Sequence, residues 1–261
     1  MMYTKRLWKL LAAVGILLLI AIPATFAQGQ QEETNTISFA GSGGYPPFNY
    51  LDESGDVIGF DVDVAQEIAD RLGMSMEYKT TAWDGIIEGL RARRYDGILG
   101  SMAITAEREE RVDFSIPYYY SGAQLLVRKD GGINELADLT SSHVVGLVTG
   151  TTFEQDAQDL GVKVKLYEDD NQTLLELING RNDGVLTDRV VGLHAITQMR
   201  GGDQVTAVGS VLRAEKMAIA FHDDDDDLRE RVNAVLAEMH ADGTLSTISA
   251  KWFNGEDITR E

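Results

Sequence analysis

Cysteine is absent from the 261 residues of this chain. The protein therefore has no disulfides, no thiolate metal ligands and no lipid-modified N-terminal cysteine. Its stability has to come from a buried core, and a chain of this length buries most of its apolar surface when it folds.

Positive charge is also scarce, with 23 Lys and Arg against 42 Asp and Glu and a net charge of −19. An excess of negative charge repels phosphate backbones and anionic lipid, which argues against binding to nucleic acid or to a membrane surface. The GxSxG, Walker and dinucleotide-binding motifs are missing as well. We therefore expect neither a nucleic-acid partner nor a cofactor.

Long apolar runs are limited to residues 10–22, which follow the basic residues Lys5, Arg6 and Lys9. A small-x-small triplet ending at Ala27 comes next, so the segment is typical of a secretory signal cleaved after about Ala27. The run is shorter than the roughly 20 residues that a spanning helix needs. A retained membrane anchor is the alternative, and we expect a periplasmic location.

The rest of the chain repeats one α/β arrangement twice. In the first half, DVDVAQEIADRLG has the spacing of an amphipathic helix that ends at Gly73, and YDGILG is typical of a buried strand. In the second half, HVVGLVTG, TTFEQDAQDLG, VKVKLYED and NQTLLELINGRNDGVLTD predict strand, helix, strand, and helix with strand. The match between RRYDGILGS and GRNDGVLTD indicates two units built on parallel sheets covered by helices.

Two extended segments, SIPYYYSGAQLLVRKD and AVGSVLRAEKMAIAF, are predicted to cross between the units, and the C-terminal helices then rejoin the first. The strand ends GSGG, GSMAIT, VTGTT and LTD should face each other, because ligands bind outside the carboxyl ends of strands in such sheets. The predicted boundaries are a signal peptide at 1–27, a disordered tether at 28–35, lobe one at 36–118 and 216–261, and lobe two at 119–215, with crossings near 118–122 and 213–217.

Arg108 lies just past the first buried strand, in the segment GSMAITAERE. Its guanidinium presents a planar fork of donors that matches a carboxylate with two hydrogen bonds. The alternative is a surface ion pair with Glu107, Glu109 or Glu110.

The segments YPPFNY, GFDVDVAQEIADRLG, WDGIIEGL, GSMAITAERE, VDFSIPYYYSG, VTGTTFE, VLTD and KWF occur in this order over nearly the whole chain after about residue 36. In that order they resemble the periplasmic polar-amino-acid-binding proteins of ABC importers. The resemblance implies a type II periplasmic-binding-protein fold of the α/β class, with two α/β lobes joined by a two-stranded hinge. It further implies a monomer that captures a free amino acid and delivers it to an ABC transporter permease.

The resemblance also assigns roles to residues. Arg108 would bind the ligand's α-carboxylate, with backbone N–H groups around Ala103 and Thr152 completing the anion site. Asp188 would receive the α-ammonium group, although its alternative role is to cap the helix that follows. Ser101, through its hydroxyl or the carbonyl beside it, would be a further ammonium partner.

Two aromatic residues, Tyr45 and Trp83, match positions that sandwich the ligand side chain in this family. Aromatic rings provide a large contact area and can attract a cationic group. Neither residue fits the periodicity of a core position, which favours the ligand-binding role over simple packing.

The side-chain preference is predicted from departures from the family pattern. Ser42 stands where binders of basic amino acids, and some binders of glutamine, carry an aspartate. Ala103 replaces a hydroxyl residue, and Phe153 occupies a place where polar residues are frequent. These departures favour neutral or polar amino acids over basic ones. Glu215 in the second crossing segment remains able to supply the missing acid.

An enzyme is the competing hypothesis, because prephenate and arogenate dehydratases resemble the same fold. Such a reaction needs an acid that protonates a leaving hydroxyl, and the sequence singles out neither Glu215 nor Glu154 for it. We therefore expect a binding protein with no catalytic residues.

The acidic run HDDDDDL at residues 222–228 invites a metal-site interpretation. It lacks the glycine and the terminal glutamate of a calcium-binding loop. Runs of like charge are usually solvated, so we interpret the run from Asp223 to Asp227 as a turn that leads into a helix, and we expect no metal.

Overall fold

The computed structural model describes residues 35–260. The predicted signal peptide and all but the last residue of the predicted tether lie outside the described residues. Within residues 35–260, no helix combines the length and the apolar character that a bilayer crossing requires.

The first part of the chain contains strands β1 to β7 and helices α1 to α3. Their bounds are β1 Thr36–Gly41, β2 Gly44–Tyr45, β3 Asn49–Leu51, β4 Val57–Ile58, α1 Phe60–Leu72, β5 Ser75–Thr80, α2 Ile86–Arg91, β6 Gly97–Ala103, α3 Ala106–Glu109 and β7 Asp113–Phe114, with a 3₁₀ helix at Trp83–Gly85 ahead of α2.

The remaining elements begin with the long strand β8 at Tyr119–Arg128. They continue as β9 Val144–Val148, α4 Phe153–Asp159, β10 Lys163–Tyr167, α5 Asp170–Ile178, β11 Gly184–Asp188, α6 Arg189–Gln198, β12 Val205–Val208, β13 Ala214–Phe221, α7 Asp226–Asp242 and α8 Thr244–Trp252, with 3₁₀ helices at Leu136–Asp138 and Gly202–Gln204.

The main sheet runs in the order β10-β9-β11-β8-β13-β6-β1-β5, with β12 beside β8 and β7 beside β13. Strands β5, β1 and β6 are parallel, as are β10, β9 and β11. Both parallel groups were predicted. Because β8 and β13 pair antiparallel with their neighbours, the complete sheet is mixed.

We call the part built on β1 to β7, α1 to α3, α7 and α8 lobe one, and the part built on β9 to β12 and α4 to α6 lobe two. The ladder that joins them pairs residues 119–122 of β8 with residues 214–217 of β13. Beyond this ladder, β8 continues beside β11 and β12, and β13 continues beside β6. Two strands therefore connect the lobes side by side.

Helix α1 shows how the sequence dictates its element. Phe60, Val64 and Ile68 recur at four-residue spacing and are fully buried, which places them on one face. The helix ends at Gly73, whose left-handed backbone lets its N–H bond to carbonyls of the last turn. The predicted helix and its glycine cap are confirmed.

Helices α7 and α8 return to lobe one and pack against α1. Their residues Val232, Leu236 and Leu245 share one apolar cluster with the core of α1 and with the aromatic pair Tyr118 and Tyr119 at the start of β8. The predicted return of the C-terminal helices to the first lobe is therefore seen.

Candidate ligand-binding site

Residues from both lobes line one cavity at the carboxyl ends of the parallel strands. The lining consists of Ser42, Gly44, Tyr45, Trp83, Gly100, Ser101, Ala103 and Arg108 from lobe one, Val148, Thr151, Thr152, Phe153, Glu168, Asp169 and Asp170 from lobe two, and Glu215 and Met217 from β13. Seven of the eight predicted site residues are among them, and Asp188 is not.

Arg108 projects from the short helix α3, which Thr105 caps by accepting a hydrogen bond from the Arg108 backbone N–H. Its Nη1 donates to the Ala103 carbonyl at 2.8 Å, and its Nη2 donates to the Gly150 carbonyl of lobe two at 3.2 Å. The guanidinium carbon lies 5.7 Å from the centre of the Trp83 ring, which is cation–π range.

No carboxylate among residues 35–260 forms an ion pair with Arg108. The predicted alternative, a pair with a neighbouring glutamate, is therefore not formed. Burial lowers the pKa of the Arg108 guanidinium below its ordinary value. The negative charges of Glu215 and Glu107 raise this pKa in part, but neither acid is paired with the guanidinium, and an incoming anion would offset the remaining cost of desolvation.

Both predicted aromatic residues reach the cavity. Trp83 begins the 3₁₀ helix ahead of α2, and its Nε1 donates to the Gly150 carbonyl at 3.3 Å. Tyr45 lies on strand β2 and is stacked on Phe48, with ring centres 5.5 Å apart. Burial raises the pKa of the Tyr45 phenol well above its ordinary value, and the charges of nearby acids, Asp188 first among them, raise it further.

Ser101 lies in a buried network behind the cavity wall. Its hydroxyl donates to Asp61 Oδ2 at 2.9 Å, and the same carboxylate accepts from Asn49 at 2.7 Å and from the Tyr118 hydroxyl at 2.7 Å. Burial raises the pKa of Asp61 to about 7 despite these bonds, which lower it. The network fixes Ser101, whose backbone has the unusual positive φ of 62°, at the cavity surface.

Thr152 and Ser42 complete the predicted lining. Thr152 precedes the first residue of α4, and its side chain makes no capping bond there. The Ser42 hydroxyl accepts from the Gly44 backbone N–H at 3.3 Å and contacts the Asn49 side chain at 3.3 Å. The wall at Ser42 therefore carries no charge.

Asp188 does not reach the cavity surface. It is the last residue of β11 and is fully buried, with Oδ1 accepting the Val190 backbone N–H at 2.7 Å. This is the alternative helix-cap geometry, seen at the start of α6. Burial raises the pKa of Asp188 to about 6, and the charge of Glu215 raises it as well.

Asp170, at the first turn of α5, is the buried acid that lines the cavity from lobe two. It accepts the Thr187 hydroxyl at 2.5 Å. Burial raises its pKa to about 7, and the charges of Asp188 and Asp169 raise it further. The prediction missed Asp170, although the segment YEDD follows a predicted strand and a strand end was the signal used for the other sites.

The acidic run from Asp223 to Asp227 lies away from the cavity. Ligand atoms of His222, Asp223 and Asp224 lie within 4.8 Å of one another. Arg93 donates to both oxygens of Asp225, at 2.9 and 3.0 Å. An arginine already neutralises part of this run, and we assign no metal site to it.

Comparison with known proteins identifies the family. Residues 37–255 match the bacterial extracellular solute-binding proteins, family 3. The chain belongs to this family. Its members are solute-binding proteins of amino-acid ABC transporters rather than enzymes, and the family implies an extracytoplasmic location. The fold is the predicted type II periplasmic-binding-protein fold.

Relatives in this family cover almost the whole chain. The L-cystine-binding protein TcyJ of Escherichia coli is 36% identical over 88% of this chain and 86% of its own length. The ABC transporter arginine-binding protein 1 of E. coli is 32% identical over 91% of this chain and 98% of its own. An ancestral arginine-binding protein solved with bound glutamine is 37% identical, with a TM-score of 0.79, over 85% of this chain and 99% of that one.

Proposed function

We propose that this protein captures a free amino acid in the cavity between its lobes and delivers it to the permease of an ABC transporter. The observation that carries the proposal is Arg108, a half-buried guanidinium in the cavity wall that forms no ion pair with a carboxylate of the described chain. A ligand α-carboxylate would supply that partner with two charge-assisted hydrogen bonds. Backbone N–H groups near Ala103 and Thr152 would take its remaining lone pairs.

The ammonium group of the ligand needs an acceptor across the cavity from Arg108. We assign this role to Asp170, which lines the cavity, rather than to Asp188, which is sealed behind it. Asp188 remains as a predicted contributor, because its buried charge acts on Tyr45 and on Asp170. Ser101 stays a predicted second partner, since its hydroxyl oxygen can accept a bond while donating to Asp61.

The identity of the side chain is a finer question. The sequence predicts neutral or polar amino acids over basic ones, and the uncharged wall at Ser42 supports this. The relatives carry names for cystine and arginine binding, and a related structure holds glutamine. Tyr45 and Trp83, which both line the cavity, would hold the aliphatic part of any of these side chains.

Delivery requires an export signal, a moving hinge and a partner in the membrane. We propose cleavage after about Ala27, a monomer in the periplasm, and closure about the ladder between residues 119–122 and 214–217. We keep the predicted lobe boundaries near 118 and 215 and propose this ladder as the hinge. A ligand that touches both lobes would favour the closed arrangement by its extra contacts there.

The experiment is a thermal-shift screen of the purified protein against the twenty amino acids, followed by calorimetric titration of every hit. A ligand far above its Kd raises the unfolding midpoint by several degrees. We expect one or a few amino acids to do so. Arg108→Ala should weaken binding at least about tenfold, because charge-assisted hydrogen bonds contribute about 1.5–3 kcal/mol.

Arg94→Ala is the matched control, because it removes the same charge from an exposed side chain outside the cavity lining. Affinity in Arg94→Ala should equal that of the wild type. Equal affinity in wild type and Arg108→Ala would refute the assignment of Arg108 to the ligand's carboxylate. The absence of a thermal shift with all twenty amino acids would refute the proposed function itself.

A further inference from the structure

Glu215 on β13 is a cavity-lining acid with one unused oxygen. The residue is only 4% exposed. Its Oε1 accepts a hydrogen bond from Arg213 Nη1 at 2.8 Å, whereas its Oε2 is buried and has no hydrogen-bond partner among the described residues. Buried polar atoms are nearly always paired in native proteins, so an unpaired carboxylate oxygen at a cavity wall points to a partner from outside.

Arg213 donates a hydrogen bond to only one of the two carboxylate oxygens of Glu215. The same guanidinium donates to Asp156, from Nη2 at 3.0 Å and from Nε at 3.3 Å. The Arg213 guanidinium thus forms ion pairs with two nearly buried carboxylates, and it contacts only one of the two oxygens of Glu215. The pair fixes the orientation of the glutamate and leaves its second oxygen without a hydrogen bond.

The charges of the cavity lining are unbalanced. Arg108 is the one cationic side chain in that lining, while Glu168, Asp169, Asp170 and Glu215 are acids. The α-carboxylate and α-ammonium groups of an amino acid would match Arg108 and Asp170. They leave three acids, of which Glu168 is exposed and Asp169 already accepts hydrogen bonds from Gln172. The third, Glu215, is the buried one with an unpaired oxygen, so that oxygen has to be met by the ligand's side chain or stay unsatisfied.

We propose that Glu215 is a specificity-determining residue that accepts a hydrogen bond from an N–H group at the end of the ligand's side chain. The inference rests on the proposed function and narrows it to amino acids with a terminal nitrogen donor. An ionised carboxylate accepts only, so side chains without a donor leave Oε2 unpaired. Met217 and Val148, which also line the cavity, provide apolar contact for the side-chain stem.

Two ligand types share this chemistry, a primary amide as in glutamine and a cationic group as in arginine or lysine. Position 42 carries no acid, and Glu215 is the lining acid with a buried, unpaired oxygen, so we assign Glu215 as the acceptor for either. If glutamine alone binds, the donor to Glu215 is the neutral amide, and the predicted preference for neutral or polar ligands holds. If arginine or lysine binds, the donor to Glu215 is the cationic group, and that preference is reversed.

The test is calorimetric titration of the wild type with glutamine, arginine and lysine, and with the donor-free analogues norleucine, methionine and glutamate. We expect at least one donor-bearing ligand to bind about tenfold or more tightly than norleucine, because a buried acceptor that is left without a hydrogen bond is costly. Norleucine binding as tightly as every donor-bearing ligand would overturn the inference without touching the proposed function. This comparison requires no variant.

Glu215→Gln isolates the free oxygen. The amide keeps one oxygen for Arg213 and places an NH₂ group where Oε2 lies, so it would confront the ligand's N–H donor with another donor. We expect donor-bearing ligands to lose about tenfold or more in affinity while norleucine changes little. Glu109→Gln, an exposed site outside the cavity lining, removes the same charge and should leave every affinity unchanged.

A uniform loss for all ligands in Glu215→Gln would mean that the glutamate only holds Arg213 in place, and would overturn the inference. Failure of every α-amino acid to bind the wild type would instead remove the proposed function on which it rests. The two failures are therefore distinguished by whether norleucine and the other amino acids bind at all.

Discussion

Asp170 and Asp188 are both buried acids near the cavity, but they contact different groups. Asp170 lines the cavity and accepts a hydroxyl hydrogen bond, whereas Asp188 caps α6. Asp170→Asn should therefore weaken amino-acid binding at least about tenfold, because it removes the charge that the ammonium group meets. Asp188→Asn should have a small effect, since asparagine is an equally good helix cap.

Calorimetric titration of both variants with the amino acid and its desamino analogue measures the difference. The desamino analogue should bind wild type and Asp170→Asn alike, because it lacks the group that Asp170 receives. A larger loss of amino-acid affinity in Asp188→Asn than in Asp170→Asn would restore the role predicted from the sequence.

Binding should also depend on pH through Asp170. Burial raises the pKa of this carboxyl to about 7, so it is ionised at pH 8 and protonated at pH 5.5. The ligand's ammonium group binds the ionised form, and binding then releases a proton at low pH. Affinity should fall as pH drops, by about tenfold for each unit below 7.

Titrations between pH 5.5 and pH 8.5 measure this fall, and Asp170→Asn is the control that should flatten it. The control is needed because Asp61 and Asp188, with pKa values raised by burial to about 7 and about 6, titrate in the same range. An equally steep pH dependence in Asp170→Asn would assign the proton to one of those neighbours.

At the residue scale, Arg108, Tyr45 and Trp83 line the cavity as the sequence predicts, whereas Asp188 does not line it. A strand end indicates the correct edge of a sheet, yet alternation along the strand decides whether its last side chain faces the cavity or the core. Asp188, opposite Ala123 in the ladder, faces the core. Asp170 belongs to a helix start, where no strand periodicity singles it out.

At the element scale, the periodic segments were predictable and the second crossing was not. The alternating segment VKVKLYED forms β10 as predicted. The segment AVGSVLRAEKMAIAF was predicted as one crossing, but it contains the end of β12, which pairs with the far end of β8, and then all of β13, which pairs with the beginning of β8. Which part of a segment pairs with which partner depends on register between distant strands, which local sequence does not encode.

The close contact between the two crossing strands at Gly122 leads to a prediction about stability. A Cβ at this position would lie 2.0 Å from the Arg213 carbonyl and 2.5 Å from a Val211 methyl group. Since backbone cannot yield as a flexible side chain does, Gly122→Ala should force apart the ladder that joins the lobes. We expect it to destabilise the fold by about 1–3 kcal/mol, as overpacking does.

Urea unfolding of Gly122→Ala measures the loss, with Gly85→Ala as the control. A Cβ at Gly85 would meet nothing within 4 Å, and the residue has an ordinary φ of −108°. Unchanged or raised stability in Gly122→Ala would show that the two crossing strands separate easily, and the ladder would then be too loose to act as a defined hinge.

At the scale of the whole molecule, the order of motifs along the chain was more informative than any single motif. Two α/β units, two crossings and a returning C-terminus leave few possible topologies, and the two-lobed fold follows from them. The contacts between the lobes could not be predicted in this way. Trp83 and Arg108 of lobe one both donate to the Gly150 carbonyl of lobe two, a meeting that depends on how far the lobes have closed.

These contacts predict that the ligand changes the shape of the molecule. A ligand held by Arg108 on one lobe and Asp170 on the other stabilises the arrangement in which both lobes meet, because only there are both ends of the ligand bound. Small-angle X-ray scattering should show a smaller radius of gyration on saturation with the amino acid found in the screen. Arg94→Ala should compact like the wild type.

Arg108→Ala separates closure from simple occupancy. At a concentration that saturates this variant, the ligand keeps its contacts with lobe two but loses the link to lobe one, so compaction should be smaller than in the wild type. Equal compaction would mean that contacts other than Arg108 draw the lobes together. Identical scattering of the wild type with and without ligand would contradict closure about the β8–β13 ladder, and delivery would then have to proceed from a rigid cavity.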